Sequence, residues 1–409
     1  MKRSMLLMLA LTLFGCNNVP FAANESALLD NGYVIASYPN GFEMDGIAGD
    51  KRLLFTNVVP SPGVGTHVTV TAASRLTGVP VGELPPPPSG WFAPTGVEVL
   101  SYATHGLGTS GELLVTDNGA LPPNAHIVVY KYGYAYDPIN GFSAHLLATY
   151  PLPMQPPPPI STISGFGFVS DLFTLSSGTS VLTDALVGAI WSCDVAFSCQ
   201  LLMVDPDFGP APASPINGVG RAQGGGTQPY TLVLTVGLSP GIVGVTHVAA
   251  TDEVCTARTA LAGGVFCMDR AQLLDTSVSP YSKTKRVVVP PQLGLSDGGH
   301  GVAADRWHPS SPWLYWVRSY SDAAGGGFNA IHRVNLLTLE VQNILQSNTL
   351  LDFSTGVTVL PPLIDGPPFT NLAVPMGQEE YNGALNQVLN GVNRYVSPTL
   401  ITGVTTYSN

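Results

Sequence analysis

The chain has 409 residues, 45% hydrophobic and 11% charged, so it can bury a large core and is not a disordered tail. A formal net charge of -11, from 16 Lys+Arg against 27 Asp+Glu, excludes the clustered basic surface that nucleic acid requires. Gly 45 and Pro 36 lie between β-branched and aromatic runs and form no single low-complexity block, which marks a chain of many turns.

The chain opens MKRSMLLMLALTLFGC: two basic residues, Lys2 and Arg3, then an apolar run too short to span a bilayer as a mature helix. Residues 1–23 therefore read as an export signal, and 24–409 as one domain. The signal ends in one of two ways. LFGC, Leu13 to Cys16, resembles a bacterial lipobox, in which Cys16 becomes the lipidated first residue and the only membrane tether. Ordinary cleavage near Ala22 or Ala23 instead gives a secreted or periplasmic protein. Cys193, Cys199, Cys255 and Cys267 remain, and in an exported chain an even set implies disulfides, here paired locally as Cys193 with Cys199 and Cys255 with Cys267.

Past the signal one pattern recurs: a polar residue, usually a Gly, an apolar run, a turn, and a second β-rich run ending in an acidic or amide residue. The copies begin at MDGIAGDKRLLFTN (Met44 to Asn57), PTGVEVL (Pro94 to Leu100) and SDLFTLSSGTSVLTD (Ser170 to Asp184). INGVG (Ile216 to Gly220), GHGVAAD (Gly299 to Asp305) and STGVTVL (Ser354 to Leu360) complete six. Their aligned starts are Asp45, Thr95, Asp171, Asn217, His300 and Thr355, with Leu172 in place of the Gly in the third. The fourth start has a rival in GVTHVAATD, Gly244 to Asp252. Helical periodicity is nearly absent. The class is all-β, a six-bladed β-propeller, and a closed ring requires GYVIASYP, Gly32 to Pro39, to complete the last blade beside the C-terminal strand.

The proline runs ELPPPPSG (Glu83 to Gly90) and PMQPPPPIS (Pro153 to Ser161) cannot donate to a ladder and read as stiff connectors. WHPSSPWLYW, Trp307 to Trp316, reads as blade packing. GLSPG and GLSDG fit the G-x-S-x-G pattern around Ser239 and Ser296, but neither leads into a helix, so both read as turns. Asp117 and Asp184 end second strands and read as turn caps.

In a propeller the inner strands start round one channel, so Asp45, Asp171, Asn217 and His300 should converge there, with Glu43, Glu98 and Asp297 close by. Carboxylate and amide oxygens suit a hard cation such as calcium. The steps PINGVG and SDGGHGVAAD, followed by LYWVRS and NAIHRVNLLT, resemble the gluconolactonase and senescence-marker-protein group, together with the related strictosidine-synthase-like and paraoxonase-like propellers. That resemblance implies a calcium site on Glu43, Asn217 and Asp297, with Asp171 as a further ligand, and a hydrolase of a lactone or ester in which Asp297 is the general base. Two departures matter. Glu43 is followed by Met44 and Asp45, which leaves the first ligand between Glu43 and Asp45. Gly299-His300 replaces the usual apolar residue, adding an imidazole that could activate water. The alternatives are a non-catalytic propeller binding a peptide, glycan or envelope partner, and a strictosidine-synthase-like cyclase using a channel carboxylate without metal.

Overall fold

A computed structural model describes residues 26–27, 32–38, 41–43, 46–60, 68–118, 126–155, 163–209, 211–212, 238–239, 241–258, 263–290, 296–321, 327–346, 356–362, 369–375 and 399–407. The export signal with Cys16, and also Asp45 and Asn217, lie outside them.

Six antiparallel sheets follow one another as blades. Blade 1 has a two-piece inner strand, Gly41–Glu43 and Ile47–Gly49, then Leu53–Pro60, Thr69–Ser74 and Pro80–Glu83. Blade 2 runs through Pro94–His105, Gly108–Asn118, Ile127–Asp137 and Gly141–Leu152. Blade 3 comprises Val169–Thr174, Ser180–Asp184, Ala189–Cys193 and Cys199–Val204. Blade 4 comprises Ile242–Val248, Glu253–Arg258, Val265–Asp269 and Arg286–Val289. Blade 5 has Ser296–Ala304, Trp313–Ser321, Gly327–Asn335 and Val341–Gln346, edged by Ser26–Ala27 in parallel. Blade 6 takes Thr358–Leu360, Phe369–Pro375 and Thr399–Tyr407 from one end of the chain and Gly32–Tyr38 from the other.

The ring closes. Each inner strand touches the next, and that of blade 6 touches that of blade 1. Gly32–Tyr38 pairs antiparallel with Thr399–Tyr407, as closure demanded. Deleting the chain through Tyr38 should leave Thr399–Tyr407 as a bare edge, and we expect lost cooperativity in thermal melting and self-association on gel filtration.

The fourth unit is corrected. Its inner strand is Ile242–Val248, the later of the two candidate starts, so INGVG does not open that blade. A two-stranded pairing of Ala211–Pro212 with Leu238–Ser239 precedes it.

Six hydrophobic clusters fill the six spaces between neighbouring blades. Alternation explains why the second strands are apolar on both faces. Leu53 and Phe55 pack toward blade 2 while Leu54 packs toward blade 6. Leu113 and Val115 pack toward blade 1 while Leu114 packs toward blade 3. Each such side chain, fully buried, contributes roughly 1.5–3 kcal/mol. The disulfides are Cys193–Cys199 and Cys255–Cys267, each joining directly paired residues of neighbouring strands.

Asp117 and Asp184 cap the turns that deliver the chain to an inner strand. Asp117 accepts from the Ala93 amide at 2.6 Å and the Phe92 amide at 3.2 Å. Asp184 accepts from the amides of Gly167, Phe168, Leu186 and Val187.

Candidate functional site in the channel

The inner strands approach so closely at their starts that side chains are excluded. A Cβ on Gly46 would lie 2.1 Å from the Thr95 carbonyl oxygen, and one on Gly96 would lie 3.2 Å from Asp171 Cα. Gly244, at φ +71, faces Val302, and Gly301 faces Gly356. The recurring Gly step is thus the contact between successive blades. It coincides with register shifts in the inner strands at Pro94/Val97, Val243/Val245 and Gly299/Gly301. Such bulges re-aim side chains at the rim of a closed sheet.

Asp171 sits on this ring. Its Oδ2 accepts from the Val245 amide of blade 4 at 3.0 Å. Burial pushes its carboxyl up to about 7, against the lowering effect of the Val245 and Leu172 amides. Glu43, Asp297 and His300 lie on inner strands, and for these three the structure describes the backbone alone. Glu43 pairs with Val59 and Asp297 with Tyr320. His300 immediately precedes the ring glycine Gly301. Among the described residues no group of three or more His, Cys, Asp or Glu is placed to hold a metal ion. Asp171 is the one candidate ligand whose side chain is described.

Farther along the inner strands, two opposite blades are tied across the axis. Arg306, just past the inner strand of blade 5, donates to the Val99 carbonyl of blade 2 at 3.3 Å. Its Nη1 lies 3.6 Å from Glu98 Oε1. Trp307 meets Tyr102 edge-on with centroids 6.0 Å apart. Glu98 is 6% exposed, and neither of its carboxylate oxygens accepts a well-formed hydrogen bond. Burial raises its pKa to about 7 and the charge of Asp171 adds to this, while Arg306 and the Thr174 amide and hydroxyl pull it down.

A cavity of about 570 Å³ opens at this end and runs between blades 2 and 3. Glu98, Thr174, His247 and Arg306 line its channel end, and Leu114, Tyr150, Val195 and Phe197 its outer end. Sequence reasoning placed Glu98 near the channel without a role and used Arg306 only as the boundary of a segment. The available signal was a lone acid inside the apolar strand GVEVL, a local rule broken without visible compensation.

No family model matches the chain, and no curated relative matches it. Among solved structures it is similar to a virginiamycin B lyase from Staphylococcus aureus, at 13% identity over 92% of this chain and 98% of that one, TM-score 0.42. A calcium-binding protein, regucalcin, from Agrobacterium tumefaciens is similar at 10% identity over 94% and 95% of the two chains, TM-score 0.48. The fold rests on the six sheets themselves.

Proposed function

We propose that the protein is an exported hydrolase of a small lactone or ester that works in the propeller channel. The observation that carries this reading is Asp171, a half-buried carboxyl on the ring of inner-strand starts that desolvation pushes up to about 7. Without a cation such a group is divided between acid and base near neutral pH, and a bound cation would hold it ionised. Asp297 and His300, on the inner strand of blade 5, are the residues we assign to activating water. Two disulfides agree with an oxidising compartment.

Asp171 has a carboxylate oxygen on the ring of inner-strand starts and is the calcium ligand in our reading, joined by Glu43, Asp45, Asn217 and Asp297. Bound there, calcium would polarise the substrate carbonyl. Because the ion must displace a proton from Asp171, its affinity should rise as pH climbs from 6 to 8. Calcium titration calorimetry reads this, and an affinity unchanged by pH and by Asp171→Asn removes the ligand assignment.

Activity is tested with a panel of lactones and aryl esters. Asp297→Ala or His300→Ala should lower kcat/KM by about a hundredfold, the usual scale for losing a general base. Full activity in both variants removes them from the mechanism. A panel that yields no turnover at all leaves a binding propeller for a peptide, glycan or envelope partner and ends the hydrolase reading.

A further inference from the structure

The cavity between blades 2 and 3 holds two opposite charges that their neighbours satisfy only in part. Glu98 is one: its oxygens are buried and, although the Thr174 amide and hydroxyl act on them, receive no well-formed hydrogen bond. A buried carboxylate without donors is costly, and a group bringing donors and positive charge relieves it. Arg306 is the other: Nη2 donates to the Val99 carbonyl at 3.3 Å and the guanidinium lies over the Trp307 ring, but Nη1 stands 3.6 Å from Glu98, too far for a hydrogen bond. The other charged groups here already have partners. Lys131 pairs with Glu112 at 2.9 Å, and His247 pairs with Asp252 at 2.9 Å, which also holds Arg270. Asp171, farther up the channel on blade 3, takes the Val245 amide.

An ammonium group offers three donors, and a carboxylate accepts two parallel bonds from a guanidinium. A simple amine would meet Glu98 but leave Arg306 facing a second cation. A simple carboxylate would do the reverse. A zwitterion serves both.

Beyond the charged end the walls turn apolar, with Leu100, Leu114 and Phe173 leading to Tyr150, Phe197 and Val195. Phe197 holds φ +56, a conformation costly for a bulky side chain. Two bonds to Asp194 Oδ1, from the Ala196 and Ser198 amides, and the Cys193–Cys199 disulfide keep it there. The strained turn stacks Phe197 on Tyr150, with centroids 4.6 Å apart, and leaves Val195 74% exposed at the lip. Asp252 and Leu339 take the same conformation in their own turns, so the hairpin sets it; an aromatic ring over the cavity beside an exposed apolar side chain suits an apolar ligand group.

We propose that this cavity binds a hydrophobic α-amino acid, its ammonium on Glu98, its carboxylate on Arg306 and its side chain between Leu114 and Phe197. The site is separate from the hydrolase reading and does not depend on it.

Titration calorimetry on the full protein tests this with L-phenylalanine, 3-phenylpropionate and 2-phenylethylamine. L-Phenylalanine should bind saturably, and each single-charge analogue should bind at least about tenfold more weakly, the scale of one lost charged hydrogen bond. Glu98→Gln and Arg306→Lys should each weaken L-phenylalanine by a similar factor. Phe197→Ala should weaken all three probes together. Circular dichroism checks folding, and if Glu98→Gln melts early, Arg306→Lys and Phe197→Ala carry the same test. No saturable binding of L-phenylalanine, or equal binding of 2-phenylethylamine, overturns the proposal. Lactone turnover measured on the same preparations keeps the two readings apart, since a protein inert toward lactones can still give this binding profile.

Discussion

Gly46→Ala should be among the most damaging one-carbon changes in the protein. The added Cβ would lie 2.1 Å from the Thr95 carbonyl oxygen and 3.0 Å from a Val97 methyl. Neither side can yield easily. The Gly46 amide donates to Asn57 Oδ1 at 2.7 Å, and its carbonyl accepts the Thr56 hydroxyl at 2.7 Å. Asn57 in turn donates to the Pro94 carbonyl, while the Thr95 hydroxyl takes part in a bond with the Val169 carbonyl of blade 3. The clash is therefore shared by three blades. Overpacking commonly costs about 1–3 kcal/mol, and against fixed backbone we expect the upper end or beyond. Gly209→Ala is the control, because Gly209 has φ -75 and its nearest neighbour would be 3.7 Å away. That change should be neutral or slightly stabilising. Equal urea midpoints for the two variants would mean that the inner strands do not meet as described.

The second large effect is on stability against pH. Burial raises Asp117 and Asp184 to about 6, although backbone amides pull both down. The unfolded chain releases these protons near the ordinary aspartate pKa of about 4. Between pH 4 and 6 the folded chain therefore holds protons that the unfolded chain has lost. Their contribution is complete below pH 4 and disappears as pH rises through 6. At about 1.4 kcal/mol per pKa unit, each group accounts for roughly 2–3 kcal/mol. Glu98 and Asp171, raised to about 7, add to that loss, while His332, pushed well down by burial, opposes it below about pH 6.5 and Asp252, held down to about 2 by Arg270 and His247, opposes it only below pH 4. The melting temperature should thus fall by several degrees between pH 5 and 8. Asp117→Asn keeps an acceptor for the Ala93 amide and should flatten that fall; an unchanged slope would show that Asp117 does not titrate in this range.

Much of the architecture is legible in the sequence because blade packing is local and repetitive. LLF at Leu53 to Phe55 and ELLV at Glu112 to Val115 are apolar on both faces, since each strand lies between two neighbouring blades. The disulfide pairs follow from hairpins that put the cysteines directly opposite one another. The fourth unit misleads for a physical reason. INGVG offers a Gly-apolar step, and Asn-Gly is also common turn chemistry. The true strand IVGVTHV carries its Gly inside the apolar run, where Gly244 takes φ +71 against Val302. The ring position of Asp171 is legible from alignment with the other starts. Glu98 and Arg306 are not, because their meeting depends on blades 2 and 5 facing each other across the axis, a relation that no local spacing encodes.

The closing strand has a consequence for how the chain folds. Tyr33 pairs with Gly403, so the last blade joins residues from nearly opposite ends of the sequence. The antiparallel strands of every other blade can form from contiguous hairpins, with only the short edge Ser26–Ala27 of blade 5 coming from afar, whereas this one requires closing a loop about as long as the whole chain. The entropy of that closure grows only slowly with length, but such contacts dominate folding rates. Refolding should therefore pass through a state with five assembled blades and an open seam, and its slowest phase should report the docking of Gly32–Tyr38.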